Sequence, residues 1–526
     1  MEAPTDPLET VAAANPDGIA VVVDGVGGTV ESTTTYAELD AAVNRLVHGL
    51  HARIRPGERL VWCGPNSLEV LTIIHAARKL RAVAVPLSYR FSTEEMTYVI
   101  DNADATCVIV DAEYAPLLAT AGPSTCPKVR SWITYDATLD PPAIPDGFIR
   151  WDELTADQPT DRLQEVASSN DPGAQMIYTS GTTGKPKGAL RTANDPALVG
   201  AMLGDLNFFH PDGVHLTTGP MYHSGPLAFA NVAGLLGHKI VVMRRFDAAA
   251  WVRLVRDHRV TNTFTAPTQL KRIVSLPDEE LARADTSSMV TLIANAAPVP
   301  YSLKQEVIAK LGDGFLYEVY GSTELGVDCI LKPEDQLRKP GSCGRPYGGI
   351  EVRIVDEMGE QVPTGSPGEL FLRTTMAMDG YHRSAEQLAE QGDEGEWHSV
   401  GDIAYVDDEG YVYICDRKKD MIISGGVNIY PAEIEAVLHS YPDVLDVAVF
   451  GIPSDEWGEA VHAVVQAKPG RDLDLDALRA HAAEHLGSYK RPRSYEVRDE
   501  LPRTDSGKLL KRVLRDEHWK DQATRL

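Results

Sequence analysis

The stretch Tyr178-Thr179-Ser180-Gly181-Thr182-Thr183-Gly184-Lys185-Pro186-Lys187-Gly188 brings three glycines, four hydroxyls and two lysines into eleven residues. Glycine lets backbone N–H groups come close to a ligand. Hydroxyls and lysines donate hydrogen bonds to anionic oxygens. The composition is that of a phosphate-handling loop, since a plain Gly/Thr turn has no use for two lysines. It is not a Walker loop, because Pro186 stands where that motif requires its second glycine.

Outward from this loop the chain alternates between two periodicities. Upstream, Leu39, Val43, Leu46 and Leu50 have helical spacing, ended by Arg55-Pro56-Gly57. Leu60–Cys63, Ala82–Leu87 and Cys107–Val110 read as short buried strands. Between them a helix follows Gly64-Pro65-Asn66-Ser67, and Ser92 caps another. Residues 120–165, rich in Pro, Asp and Thr, read as irregular connection. Downstream, strands are expected at Val214–Thr218, Lys239–Met243, Thr261–Phe264, Val290–Ala294 and Phe315–Tyr320, with helices at Phe229–Leu236 and Ala248–His258. Such alternation predicts parallel sheets covered by helices. After about residue 345 short strands broken by Gly, Pro and Asp predict an antiparallel β subdomain, and a smaller α+β unit follows Asp416. The expected fold is therefore α/β. A large N-terminal domain with parallel-rich sheets and a β subdomain spans 1–416, a hinge 417–420, and a small mobile α+β C-terminal domain 421–526.

Composition narrows the partners. The 526-residue chain carries a formal charge of −26, which argues against nucleic-acid binding. Six cysteines show no CxxC or Cys/His spacing, so neither structural zinc nor a disulfide framework is expected, and a cytoplasmic location is the natural reading. The N-terminus lacks a basic region followed by an apolar run, so no signal peptide is expected. No stretch of about 20 apolar residues predicts a membrane span. Peripheral membrane contact and a homodimer stay compatible with the composition.

Further motifs stand where strands end. Tyr320-Gly321-Ser322-Thr323-Glu324 follows an expected strand, where ligands bind in parallel sheets. Glu324 there is either a magnesium ligand or part of a helix N-terminus capped by Ser322. Asp402, in Trp397-His398-Ser399-Val400-Gly401-Asp402, is either an Asx-turn residue or an acceptor for ribose hydroxyls. Asp416-Arg417-Lys418-Lys419-Asp420 reads as a solvated linker or hinge. Ser424-Gly425-Gly426-Val427 is a second glycine loop. From Gly487 to Arg515 nine basic residues face four acidic ones, which reads as a solvated basic helix or a polyanion-binding arm carrying Lys508.

Taken together these motifs resemble the adenylate-forming superfamily of acyl-CoA synthetases, luciferases and peptide-synthetase adenylation domains. The resemblance runs from Thr35-Tyr36-Ala37-Glu38-Leu39 to Pro502-Arg503-Thr504-Asp505-Ser506-Gly507-Lys508. It implies attack of a carboxylate on the α-phosphate of ATP, giving an acyl-adenylate and pyrophosphate. A thiol, usually that of CoA, then displaces AMP. ATP, Mg2+ and CoA are the implied cofactors and cosubstrate. By resemblance, Thr179, Ser180, Gly181, Thr182, Thr183, Gly184, Lys185 and Lys187 belong to the mobile phosphate loop. Thr323, within Gly321-Ser322-Thr323, would contact the α-phosphate, and Glu324 with Thr179 would hold magnesium. Ala296, Ala297, Pro298 and Tyr320 would frame the adenine; Asp402 and Arg417 would bind the ribose. Lys508 would bridge carboxylate and α-phosphate. Lys419 matches the hinge position, rotation about which would bring the Gly425-Gly426 loop into a thiol tunnel. Lys490 and Arg491 would then meet the CoA phosphates.

Two departures stand out. Arg191-Thr192 occupies the place of a Ser/Thr-His pair, and Ala294-Asn295-Ala296-Ala297 that of a glycine-rich segment. Pro220-Met221-Tyr222-His223-Ser224-Gly225 resembles the aromatic/His motif of CoA ligases, in which His223 would line the acyl site. No Phe-Asp stands there, which argues against an amino-acid substrate. Small residues (Gly225, Ala228, Ala230, Ala294, Ala296, Gly326) hint at room for a bulky apolar acid such as a long acyl chain or steroid side chain. The expected activity is an acid–CoA ligase for a hydrophobic carboxylic acid. An aryl-acid CoA ligase, an acyl-AMP ligase loading a carrier protein and a non-catalytic ligand sensor are the alternatives.

Overall fold

The computed structural model describes residues 6–25, 31–120, 125–138, 140–164, 174–179, 185–192, 194–384, 388–391, 397–503 and 509–519. Its first helix within the alternating region, Tyr36–His51, starts on a capping box: the Thr35 hydroxyl accepts from Glu38 N while Glu38 accepts from Thr35 N. Leu39, Val43, Leu46 and Leu50 form its buried stripe, each contributing roughly 1.5–3 kcal/mol by leaving water.

Two mostly parallel sheets form the large part. One has eight strands in the order Gly380–Tyr381, Lys187–Arg191, Gln175–Thr179, Val83–Leu87, Arg59–Cys63, Ala105–Asp111, Ser131–Tyr135 and Phe148–Arg150. The other has nine: Arg345–Pro346, Gly326–Leu331, Leu316–Ser322, Thr291–Ala294, Asn262–Thr265, Val214–Thr217, Lys239–Val242, Ile19–Val23 and Ser32–Thr35. Their central strands are buried almost throughout because helices cover both faces, although Asn262–Thr265 and Val214–Thr217 include polar residues. Antiparallel strands sit only at the edges, and the two edges holding Gly326–Leu331 and Lys187–Arg191 build the site.

Two expectations are corrected here. Residues 120–165 are not merely connection: Ser131–Tyr135 and Phe148–Arg150 extend the parallel sheet, and Trp151–Thr155 is a short helix. The run Ser-Trp-Ile-Thr-Tyr is β-branched and aromatic, and every residue in it is buried. The strand expected to stop at Tyr320 runs on to Ser322 and folds back antiparallel on Gly326–Leu331. Ser322 therefore caps no helix; its hydroxyl accepts from Leu325 N across a tight turn, at 3.0 Å. Gly321 permits the hairpin, since a Cβ there would lie 2.0 Å from the Gly326 carbonyl oxygen.

A third, antiparallel sheet contains Glu351–Val355, Gly368–Arg373, Trp397–Ser399, Asp402–Val406 and Val412–Arg417. After the four residues 418–421, the strand Ile422–Ser424 opens a fourth sheet, built on the long hairpin Val444–Ser454 and Gly458–Ala467. Ser494–Val497 adds to it in parallel. Helices Pro431–His439, Leu475–His485 and Lys511–Trp519 pack against this sheet. All six cysteines are free. No helix among the described residues is long and apolar enough to cross a membrane.

Candidate active site

Three sheets meet at the 316–331 hairpin. Glu324 projects from its turn. Its Oε1 accepts from the Thr179 hydroxyl at 3.3 Å and from the Tyr381 phenol at 2.8 Å. Thr179 ends one strand of the eight-stranded sheet and Tyr381 lies on that sheet's edge. A carboxylate and hydroxyl oxygens converging on one point are the hard donors magnesium takes, so these residues fit that ion. Thr323 is linked to Ser224 by a 3.2 Å hydroxyl–hydroxyl bond. That bond brings the 220–225 motif to the hairpin.

Three residues before Thr323, Tyr320 donates to Asp402 Oδ2 at 2.5 Å, and Arg417 Nε pairs with Asp402 Oδ1 at 2.5 Å. Asp402 is buried. Burial, reinforced by the Asp402 charge, drives the Tyr320 phenol well up, so Tyr320 is the donor. Each Asp402 oxygen keeps a lone pair beyond these contacts, so it can still accept from a ligand hydroxyl. Beside Tyr320 runs the loop Asn295-Ala296-Ala297-Pro298, whose shape is set from both sides. Asn295 Nδ2 donates to Val319 O at 2.6 Å, and Val299 N donates to Glu318 Oε1 at 3.1 Å. Glu318 is itself paired with the buried Lys304. Ala296 is exposed and holds φ +78°, a left-handed conformation usual for glycine.

The remaining sequence-predicted residues fall in several places. His223 immediately precedes the helix Ser224–Leu235, with its ring 4.4 Å from that of Tyr222. Lys185 Nζ lies 5.0 Å from the Tyr98 ring centre, and Lys187 Nζ 5.7 Å from that of Tyr381. Gly425 and Gly426 form the two-residue turn between Ile422–Ser424 and Val427–Ile429, both with positive φ (+58° and +77°) as a type I′ hairpin requires. Lys490 Nζ pairs with Glu433, at 2.6 Å. Arg491 donates to the carbonyls of Leu486 and Ala483, closing the end of the helix Leu475–His485. Ser180, Gly181, Thr182, Thr183, Gly184 and Lys508 lie outside the described residues. Of the small residues expected to open a pocket, Gly225 instead packs on Phe264, where a Cβ would sit 2.5 Å from the ring, and Ala230 and Ala294 are core. Ala228 and Ala296 reach the surface, and Gly326 is half-buried.

Three residues at this corner carried no functional reading. Tyr381 lacked any local signal. Arg191 was visible only as a departure from the motif; it donates to Thr323 O at 3.0 Å, Glu324 O at 3.4 Å and Met376 O, and so holds the hairpin turn. Asp328, four residues past Glu324, is buried, and neither carboxyl oxygen has a hydrogen-bond partner. Burial drives its carboxyl well above the ordinary range, with Arg191 opposing and Asp402 reinforcing.

Comparison with known proteins places the chain in a family. The AMP-binding enzyme family matches residues 8–382, and the AMP-binding enzyme C-terminal domain matches residues 433–508. The chain is 35% identical to a feruloyl-CoA synthase of an Amycolatopsis species over 93% of this chain and 94% of that one. It is 32% identical to a long-chain-fatty-acid–CoA ligase of Mycobacterium tuberculosis, over 92% and 93%. Its fold matches the ATP-bound MatB of Rhodopseudomonas palustris with a TM-score of 0.84 at 27% identity, covering 99% of each chain. The chain thus belongs to the AMP-binding enzyme family, the adenylate-forming superfamily, in its acyl-CoA ligase branch of AMP-forming acid–thiol ligases.

Proposed function

We propose that this ligase activates a hydrophobic carboxylic acid of the fatty-acyl or steroid side-chain type. The acid's carboxylate attacks the α-phosphorus of ATP while the bond to pyrophosphate breaks. The CoA thiolate then attacks the acyl carbonyl, and AMP leaves. The observation that carries the adenylation step is the convergence of Thr179, Thr323 and Glu324 with the Tyr320–Asp402–Arg417 cluster around one hairpin; the class of acid rests on the aromatic/His motif and the small residues read in the sequence. Asp402 and Arg417 would orient the ribose, with Tyr320 and the 296–298 loop against the adenine. Thr323 would donate to the α-phosphate, and Ser224 would fix its hydroxyl. Magnesium held by Glu324 and Thr179 would neutralise phosphate charge that otherwise repels the incoming carboxylate. Lys508, by family resemblance, would bridge the two anions in the first step. Residues 417–420 would act as the hinge that exchanges Lys508 for the Gly425-Gly426 turn. Lys490 would have to leave Glu433 to meet a CoA phosphate.

The feruloyl-CoA synthase relative favours a second reading, an aryl acid. A panel of short, long-chain, aryl and steroid acids, assayed for CoA-dependent AMP release, decides between them. The first reading expects the long-chain or steroid acids to give the highest kcat/KM. A preference for aryl acids would replace it with the second, and a preference for short acids would sink both.

A further inference from the structure

Far from this corner, the C-terminal unit gathers two histidines and a glutamate. His462 lies on the strand Gly458–Ala467, Glu496 on Ser494–Val497, and His518 on the helix Lys511–Trp519. A ligand atom of each lies within 4.8 Å of the other two. His462 is 5% exposed. Its Nε2 and that of His518 are both buried without a hydrogen-bond partner. Glu496 Oε2 lies 3.8 Å from His462 Nε2, beyond hydrogen-bond reach. Two buried imidazole nitrogens left unpaired are costly unless something fills the space between them.

Behind two of the three residues stand polar groups placed as the outer shell of a metal site would be. His462 Nδ1 is 2.6 Å from Ser494 Oγ. With the proton on Nδ1, donated to that hydroxyl, the Nε2 lone pair faces the cluster. Glu496 Oε1 accepts from Arg498 Nε at 2.5 Å, which leaves Oε2 for the cluster. Arg498 is in turn neutralised by Glu517, at 2.6 Å. Phe450 packs against both imidazoles, with ring centres at 5.3 and 5.8 Å.

We propose that His462, Glu496 and His518 bind one divalent transition-metal ion, zinc by donor type, which clamps the helix Lys511–Trp519 to the sheet. Two imidazoles and one carboxylate suit zinc. Tetrahedral zinc ligands stand about 3.4 Å apart, so side-chain rotations of about an ångström close the site. A water completes the shell. Helix and sheet already share Leu514, Phe450 and Val464 in one apolar cluster, so the ion reinforces an existing contact.

Full-length protein stripped with EDTA and desalted is titrated with zinc chloride by calorimetry, and its thermal melt is followed with and without zinc. The expected result is about one tight zinc per chain with a rise in Tm. Affinity should fall at least tenfold in both Glu496→Gln and His518→Gln, judged against the roughly 10–100-fold that even outer-shell changes cost. His462→Gln is avoided because that side chain is buried. The half-buried His481 and exposed His485, with ring centres 4.4 Å apart, are the rival zinc site, so His485→Ala is the control. Zinc binding that persists unchanged in Glu496→Gln and His518→Gln, or that is lost in His485→Ala, overturns the proposal. So does a wild-type chain that binds no zinc.

Discussion

Ala296 carries a Cβ at φ +78° in the loop proposed to frame the adenine. The left-handed conformation costs an L-residue about 1–2 kcal/mol, and glycine's unfolded-state entropy returns about 0.5–1 kcal/mol of that. Ala296→Gly is therefore expected to stabilise the chain by up to about 1 kcal/mol, measured by urea unfolding. A loss of stability would mean that the Ala296 methyl makes compensating contacts. At Glu324, glutamine keeps an acceptor for Thr179 and Tyr381 but removes the charge. Glu324→Gln should hold its Tm while acid-dependent pyrophosphate release falls by roughly 100-fold or more. Near-normal release would remove Glu324 from the proposed metal site.

Asp328 makes a test by pH. Its folded pKa is raised above the ordinary value of 3.8, so the native state holds a proton that the unfolded chain releases. The stability contribution of that proton is full below about pH 3.8 and is lost as pH rises towards the folded pKa. Asp328→Asn removes this slope. The Tm of the variant relative to wild type should climb from pH 4 to pH 8, and a pH-independent difference would show that the carboxyl titrates normally.

Among the elements, the proposed hinge at 417–420 leads from one sheet to another. Arg417 belongs to the antiparallel sheet, while Ile422 opens the C-terminal sheet. Contacts around the link tie the two units together in this conformation. Lys418 Nζ reaches Glu369 at 2.8 Å, and Asp420 pairs with Arg515 at 3.2 Å. For Lys419→Pro, whose ring locks φ and removes a donor, adenylation should be retained and thioester formation lost. Equal losses in the two half-reactions would sink the hinge. Ser424–Val427 shows how local chemistry specifies an element: a Gly-Gly pair selects a type I′ turn, and Gly425 also makes room for Trp457, 2.9 Å from where a Cβ would stand.

For the whole molecule, the basic tail changes meaning once folded. Arg503 pairs with Asp446, Lys511 with Glu435, Arg498 with Glu496 and Glu517, and Lys490 with Glu433. Much of its apparent excess positive charge is spent on acidic partners in the same unit. Lys508→Ala tests the two-conformation reading at this scale. It should abolish adenylation yet still convert a supplied acyl-adenylate to the thioester; surviving adenylation would remove Lys508 from the first step. Sequence alone determined the alternation of strand and helix and the order of the motifs, because period, capping and short runs are local. The phosphate loop and the roles proposed for Thr179, Tyr320, Thr323, Glu324, Asp402 and Arg417 came from the resemblance those motifs carry. Tertiary structure alone decided that Tyr381 reaches Glu324, that Arg191 holds the hairpin turn, that Asp328 is buried without partners and that His462, Glu496 and His518 converge. Each depends on residues far apart in the chain, and no short stretch records which strand edges will meet.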